Sequence, residues 1–309
     1  MSGALDRRGL WIAVASFVLW GLMPLYWHLL KAVPSLQIVL HRVLWSAVLV
    51  GGWLFFARGR HWLRHTLAQP RAALMLALSG VLIGFNWGLY IWAVNAGHVV
   101  ESSLGYFINP LLNVVMGTVL FREKLTRVQS ASVVLAAIGV AWLTWRFGQP
   151  PWIALALAVS FALYGLIRKL LAVDSIAGLG AESAYLLLPV LAMLIWIEMH
   201  GQGGFTGAWW PWQDALLVFS GVLTALPLIG FAYAVRRVPL STVGLLQYIA
   251  PTLQFLIRVL VFREAFDADR AVGFMFIWAA LALFAGDGLL RARRAMAMAT
   301  WGGPRPTIA

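Results

Sequence analysis

The sequence predicts an all-α integral membrane protein whose ten transmembrane helices form two inverted five-helix repeats. Three observations carry that expectation. Apolar runs of membrane-spanning length recur along all 309 residues, basic residues gather in alternate loops, and the second half repeats the first at a fixed offset. The chain is 62% hydrophobic and only 11% charged, whereas soluble domains carry about 25% charged residues. The apolar runs therefore belong to the whole fold and not to a single anchor.

A bilayer core of roughly 30 Å calls for about 20 helical residues. With that ruler the first span covers 10–30; it has no small-residue cleavage site and is expected to be retained. The second, 36–57, carries His41 and Arg42 in its outer half. The third, 72–94, places Gly80, Gly84 and Gly88 at four-residue spacing, a face that lets another helix come close. The fourth and fifth are 100–121 and 128–145. The sixth, 152–167, is the shortest and lengthens if Arg168 and Lys169 snorkel. The seventh, 176–197, brings in Glu182; the last three are 212–235, 241–262 and 271–290. Tryptophans such as Trp11, Trp53, Trp145, Trp152, Trp196 and Trp212 fall near span ends, where an indole keeps its N–H wet. The longest external loop, 201–211, is expected at the outer interface, and the tail 291–309 is expected to be disordered and cytoplasmic.

Charge placement tests this count. The side holding the N-terminus collects 17 of the 23 Lys and Arg, the other side 4, and Arg42 and Arg258 fall inside spans. One helix more or fewer would scramble that alternation. The positive-inside rule then puts both termini in the cytoplasm, which for a bacterial protein means the inner membrane. The net charge of +12 is thus a topology signal. The basic loops are too short to present a nucleic-acid-binding fold.

"SGVL" at Ser79–Leu82 recurs at Ser220–Leu223, "FRE" at Phe121–Glu123 recurs at Phe262–Glu264, and Pro110 matches Pro251, all offset by 141. "SFVLWGL" from Ser16 aligns with "SFALYGL" from Ser160 after a small indel. The repeats run over 9–146 and 151–290. Five spans per repeat is an odd number, so the second copy enters from the opposite side. Inverted repeats of this kind are the architecture of secondary transporters, in which two halves exchange conformations around a central site.

Polar residues inside spans are the candidate solute pathway. Glu101, Gly105, Asn109, Asn113 and Gly117 line one face of the fourth span, with Tyr106 beside it. The ninth carries Gln247, Tyr248, Gln254 and Arg258. Amides facing lipid have no partners, so these faces point inward. They either wall a cavity or act as interhelical glue. Pro110 and Pro251 each free a carbonyl and are candidate kinks. Arg42 suits a solute carboxylate or a structural pairing with Glu101. His41, Glu101 and Glu182 are candidates for proton coupling, His41 and Glu182 being repeat equivalents. Trp20, Trp87, Tyr90, Trp92 and Phe107 are candidate aromatic walls, with plain packing the weightier reading.

Other classes lose ground. There are no cysteines, hence no disulfide, thiolate nucleophile or sulfur-ligated metal. G-x-x-x-x-G-K-[ST] is absent, so no nucleotide is expected to be hydrolysed, and H-E-x-x-H and G-x-S-x-G are absent as well. His61 and His65 lie in an arginine-rich loop that repels a cation, and no metal or other cofactor is expected.

"LYWHLLKAV…IVLHRVLWS" (25–46), "YIWAVNAGHVVESSLGYFINPLLNVVMG" (90–117) and "LLQYIAPTLQFL" (245–256) resemble the RarD-type members of the EamA family, within the drug/metabolite transporter superfamily. The resemblance runs from about Gly9 to Gly288. It implies two EamA units, ten helices and an inner-membrane permease; the RarD name is tied to chloramphenicol sensitivity, and related members export amino acids or other metabolites. Arg258 interrupts a stretch expected to be aliphatic, and Arg263 stands where the family more often has glycine. The expected function is a permease, on balance an exporter, for a small organic solute such as an amino acid, metabolite or drug, working by alternating access within the lipid bilayer. The alternative is a lipid or polyisoprenoid flippase with a laterally open groove.

Overall fold

Ten helices in the computed structural model, which describes residues 6–148, 150–205, 207, 209–263 and 268–301, are long and apolar enough to cross a membrane. They are α1 (Arg7–Leu29), α2 (Ser35–Arg58), α3 (Pro70–Asn95), α4 (Val99–Leu120), α5 (Arg127–Phe147), α6 (Trp152–Leu170), α7 (Ser175–Met199), α8 (Pro211–Val235), α9 (Leu240–Val261) and α10 (Ala268–Trp301). A short helical piece, Trp62–Thr66, stands between α2 and α3 and was not expected.

Local chemistry fixes the ends. Asp6 accepts from the Gly9 N–H at 3.1 Å and starts α1. Thr126 and Gln129 form a reciprocal capping box at α5, and Asp174 accepts from Ile176 and Ala177 to begin α7. α3 and α8 open on proline, whose missing N–H costs nothing in the first turn. Burial works against the Asp174 charge. The N–H groups of Ala177 and Ile176, with Arg58 at 3.0 Å, outweigh it and hold the carboxyl below its ordinary value. That contribution is present at neutral pH and fades as pH falls through the lowered value.

Four expectations change. α9 is not one α-helix: it runs Leu240–Gln247, breaks at Tyr248, resumes as Ile249–Leu256 and ends in a π-turn, Ile257–Val261. Pro251 has no N–H for the Gln247 carbonyl, so the break falls one turn upstream of the proline. Pro110, by contrast, leaves α4 uninterrupted. α6 does extend through Arg168, but Arg168 turns inward and is 1% exposed, so it does not snorkel. Of the expected disordered tail, 291–301 continue α10 as helix; 302–309 lie outside the described residues.

Packing has the repeat's symmetry. α2–α7, α4–α9 and α5–α10 pair equivalent helices; α4–α6 matches α9–α1, α1–α8 matches α6–α3, and α2–α8 matches α7–α3. Arg122 and Arg263, 141 apart, both take a left-handed backbone (φ 52° and 54°) just after α4 and α9. Such a φ favours glycine, the residue the resemblance leads one to expect at 263. Three ion pairs join the halves on the basic-rich face: Asp6–Arg237, Arg58–Asp174 and Glu123–Lys169.

Close approach rests on small residues. A Cβ at Gly139 would sit 2.7 Å from the Gly273 carbonyl, where α5 meets α10, and one at Gly244 would sit 2.6 Å from the Pro110 carbonyl, where α9 meets α4. On the expected α3 glycine face, Gly80 lies against Glu182 and Gly84 against Leu186, while Gly88 has open space. Gly139→Ala should therefore separate α5 from α10 and cost about 1–3 kcal/mol. Gly51→Ala, with nothing within 4 Å, should cost nothing. Thermal unfolding of the detergent-purified protein compares the two.

Candidate functional site

A cavity of about 510 Å³ lies between α1, α2, α3, α4, α6, α8 and α9. Its lining runs from mid-membrane residues of these helices to Ser35, Val94 and Phe262 at helix ends on the basic-poor face. Toward the basic-rich face it stops on rings. Phe17, Trp20 and Phe161 line the cavity, with Phe231 beneath them, and neighbouring centroids are 5.3–6.3 Å apart. Phe17 and Phe231 are wholly buried. Below this septum Glu123 accepts from the Leu240 and Ser241 N–H groups at 2.7 and 2.8 Å and from the Ser241 hydroxyl, clasping the start of α9.

Of the expected pathway residues, Arg42, Tyr106, Asn109, Gln247 and Gln254 line the cavity, as does Pro251. The amides bond across helices. Gln247 donates to Asn109, Asn113 donates to both Gln247 (2.7 Å) and Asn109 (3.3 Å), and Asn109 donates to the Ala158 carbonyl on α6 (2.7 Å). Gln254 donates to the Trp20 carbonyl at 3.1 Å. Pro24, four residues on in α1, leaves that carbonyl without its helical donor. Asn113 sits behind the lining and is wholly buried, so it serves the amide cluster. Tyr248 turns away, into the cluster with Phe274 and Ile277, and donates to the Phe107 carbonyl at 3.1 Å. Pro110 contributes its carbonyl to the α4–α9 contact and lies off the cavity.

The proton-coupling candidates lie outside the lining. Glu101 accepts from the Ile153 N–H at 2.8 Å, capping α6, and so is not paired with Arg42. Glu182 is 1% exposed; it accepts from Arg168 at 3.3 Å, Ser79 at 2.6 Å and Tyr164 at 3.4 Å. His41 accepts from the Trp45 indole at 3.2 Å and lies with its ring centroid 4.6 Å from that of Phe205, carried in by the loop after α7. Among the described residues its Nε2 is buried without a partner, as are both amide atoms of Gln37 one turn earlier.

Arg42 is held by aromatic faces. Its guanidinium lies 4.9 Å from the Trp27 ring and 5.3 Å from the Trp87 ring, and Nε donates to the Thr224 hydroxyl at 2.9 Å. Arg258, in the π-turn, also lines the cavity. Trp20, Trp87 and Tyr90 line the cavity, against the weightier expectation of plain packing; Trp92 and Phe107 lie elsewhere. Sequence reasoning missed Trp27, Ser102 and Asn86, whose amide donates to the Leu157 carbonyl and the Ser160 hydroxyl at 2.8 Å. For Asn86 the signal was present: an amide in the middle of an apolar span.

Removing one partner of a buried ion pair strands the other, at a cost of roughly 3–5 kcal/mol. Glu182→Leu should destabilise by that amount, and Arg168→Met/Glu182→Leu should recover most of it. Thermal unfolding of the single and double variants checks the pair.

Comparison with known proteins follows from this geometry. Residues 7–145 match the model of the EamA-like transporter family. The chain is 45% identical over 292 residues to Protein RarD of Streptomyces exfoliatus, covering 94% of this chain and 92% of that protein. It is 42% identical to Protein RarD of Escherichia coli over 95% and 99%, and 35% identical to the chloramphenicol-sensitive protein RarD of Pseudomonas aeruginosa over 92% and 95%. A solved crystal structure aligns with TM-score 0.67 at 22% identity, covering 89% of this chain and 96% of that one, a likeness of fold.

Proposed function

The chain belongs to the RarD branch of the EamA-like transporter family, and from that premise we propose that it moves a small organic solute by alternating access through the cavity under Arg42. It is a multi-pass membrane protein and a drug/metabolite transporter of the EamA/RarD type. The solute, the direction and the cycle are the proposal.

One observation carries it. The cavity reaches the basic-poor face and is shut toward the basic-rich face by the aromatic septum and the Glu123 clasp. With the basic-rich face cytoplasmic, as the positive-inside rule requires, this is an outward-open state. A volume of about 510 Å³ suits a drug-sized solute. The inverse state opens the clasp and closes the far end, and two halves with interchangeable packing supply both. The flippase alternative needs a groove open laterally to lipid, with His41 and Arg42 on its rim and the Asn109 and Asn113 face uncovered. Asn109 and Asn113 are 3% and 0% exposed, which favours an enclosed solute path. Among the proton-coupling candidates, His41 best fits the task, because Glu101 and Glu182 are committed to a cap and an ion pair while its Nε2 has no protein partner.

Proteoliposomes with an imposed pH gradient and a metabolite and drug panel test this. The wild type should move at least one panel member. Ala250→Phe, which fills the cavity, should slow it about ten-fold or more with unfolding unchanged, and His41→Gln should flatten the pH dependence. The absence of cysteine makes a second test clean. A lone cysteine at Gln254 should react with an impermeant thiol reagent from outside, and adding Glu123→Ala, which releases the clasp, should cut that labelling several-fold as the population shifts inward.

A further inference from the structure

Resting on the transporter reading of this cavity, we propose that its solute carries an anionic oxygen head, a carboxylate or sulfonate, received by the guanidinium of Arg42, and an apolar, flat body.

Arg42 is a fixed positive charge placed at membrane depth, a position that calls for a partner. None is supplied: among the described residues no carboxylate pairs with it, and Nε, bonded to Thr224, is its one nitrogen with a protein acceptor. The Thr224 hydroxyl hydrogen goes to the Ser220 carbonyl at 2.8 Å, which turns an oxygen lone pair toward Arg42. Trp27 and Trp87 lie within cation–π range of the guanidinium. The side chain is thus fixed before any solute arrives, with its terminal N–H groups unspent. A guanidinium in that condition matches an oxyanion head, which takes two parallel hydrogen bonds.

The rest of the lining agrees. Among the described residues it includes two arginines, Arg42 and Arg258, and neither aspartate nor glutamate. A cation would meet the like charge of Arg42, and among the described lining residues the ammonium group of a free amino acid would find no carboxylate. An acid lacking that ammonium, or bearing it acylated, fits better. The rings beside Arg42 are Trp27 and Trp87, with Trp20, Tyr90 and Phe161 elsewhere in the lining, and aromatic faces receive a flat apolar body.

The probe pair is 4-toluenesulfonate and 4-toluenesulfonamide, alike in shape and different in charge at neutral pH. Equilibrium dialysis with the detergent-purified full-length protein should find the sulfonate bound about ten-fold or more tighter, the worth of a charge-assisted hydrogen-bond pair. Arg42→Gln should erase that preference and keep the sulfonamide; Arg42→Lys should keep part of it. Thr224→Val, which leaves the charge and loosens its aim, should reduce it. Equal binding of the two probes by the wild type, binding of neither, or a preference that survives Arg42→Gln overturns the proposal. Sulfonamide binding that is lost in Ala250→Phe, without a sulfonate preference, overturns the anion head and leaves the transport reading standing. Failure of the proteoliposome panel strikes that reading itself.

Discussion

The contact between α4 and α9, where Asn109, Asn113 and Gln247 exchange hydrogen bonds, is the interaction around which this membrane domain is built. Lipid offers an amide nothing, so each group must be answered inside the protein. The cluster answers most of them across the line where the two halves meet and ties in α6 through the Ala158 carbonyl, while Asn113 Oδ1 has no partner among the described residues. Gly244 is what permits it, since any side chain there would strike the Pro110 carbonyl. Gln254 does the same for α1, satisfying the carbonyl that Pro24 leaves open. The cavity walls are therefore positioned by bonds that also hold the helices together: the amides act as interhelical glue, and Asn109, Gln247 and Gln254 line the cavity as well.

Much of this was legible in the sequence. Ten apolar runs, the alternation of basic residues and the offset of 141 are read directly along the chain, and they placed the helices. That a polar face points inward was legible for the same reason. What each inward group meets was not, because the period of one helix says nothing of the helix opposite. Glu101 meets the start of α6, Glu182 meets Arg168, and Tyr248 meets α4 backbone from behind, all contacts between different helices. Arg168 was misjudged because its position at a span end allowed it to reach water, and only the acid across from it explains the inward turn.

The halves share a scaffold and differ in chemistry. The position equivalent to His41 is Glu182, that of Arg42 is Ser183, and that of Gly117 is Arg258. Gly117 has no room for a side chain, because Glu123 and the start of α9 close over it. At the other end of the molecule the equivalent site bears an arginine in a π-turn, a form of helix common at functional sites. The same fold is thus drawn shut at one end and held wide at the other.

The ring septum has an electrical consequence. In the outward-open state proposed above, the cavity would lie at nearly the voltage of the adjoining solution, and the transmembrane field would fall mainly across a thickness of a few aromatic rings. A charged solute passing Phe17, Phe161 and Phe231 would feel almost all of it, about 2.3 kcal/mol per 100 mV for each charge. For a monoanion leaving a cell with a negative interior, that work runs downhill, and the resting voltage alone could then power its expulsion.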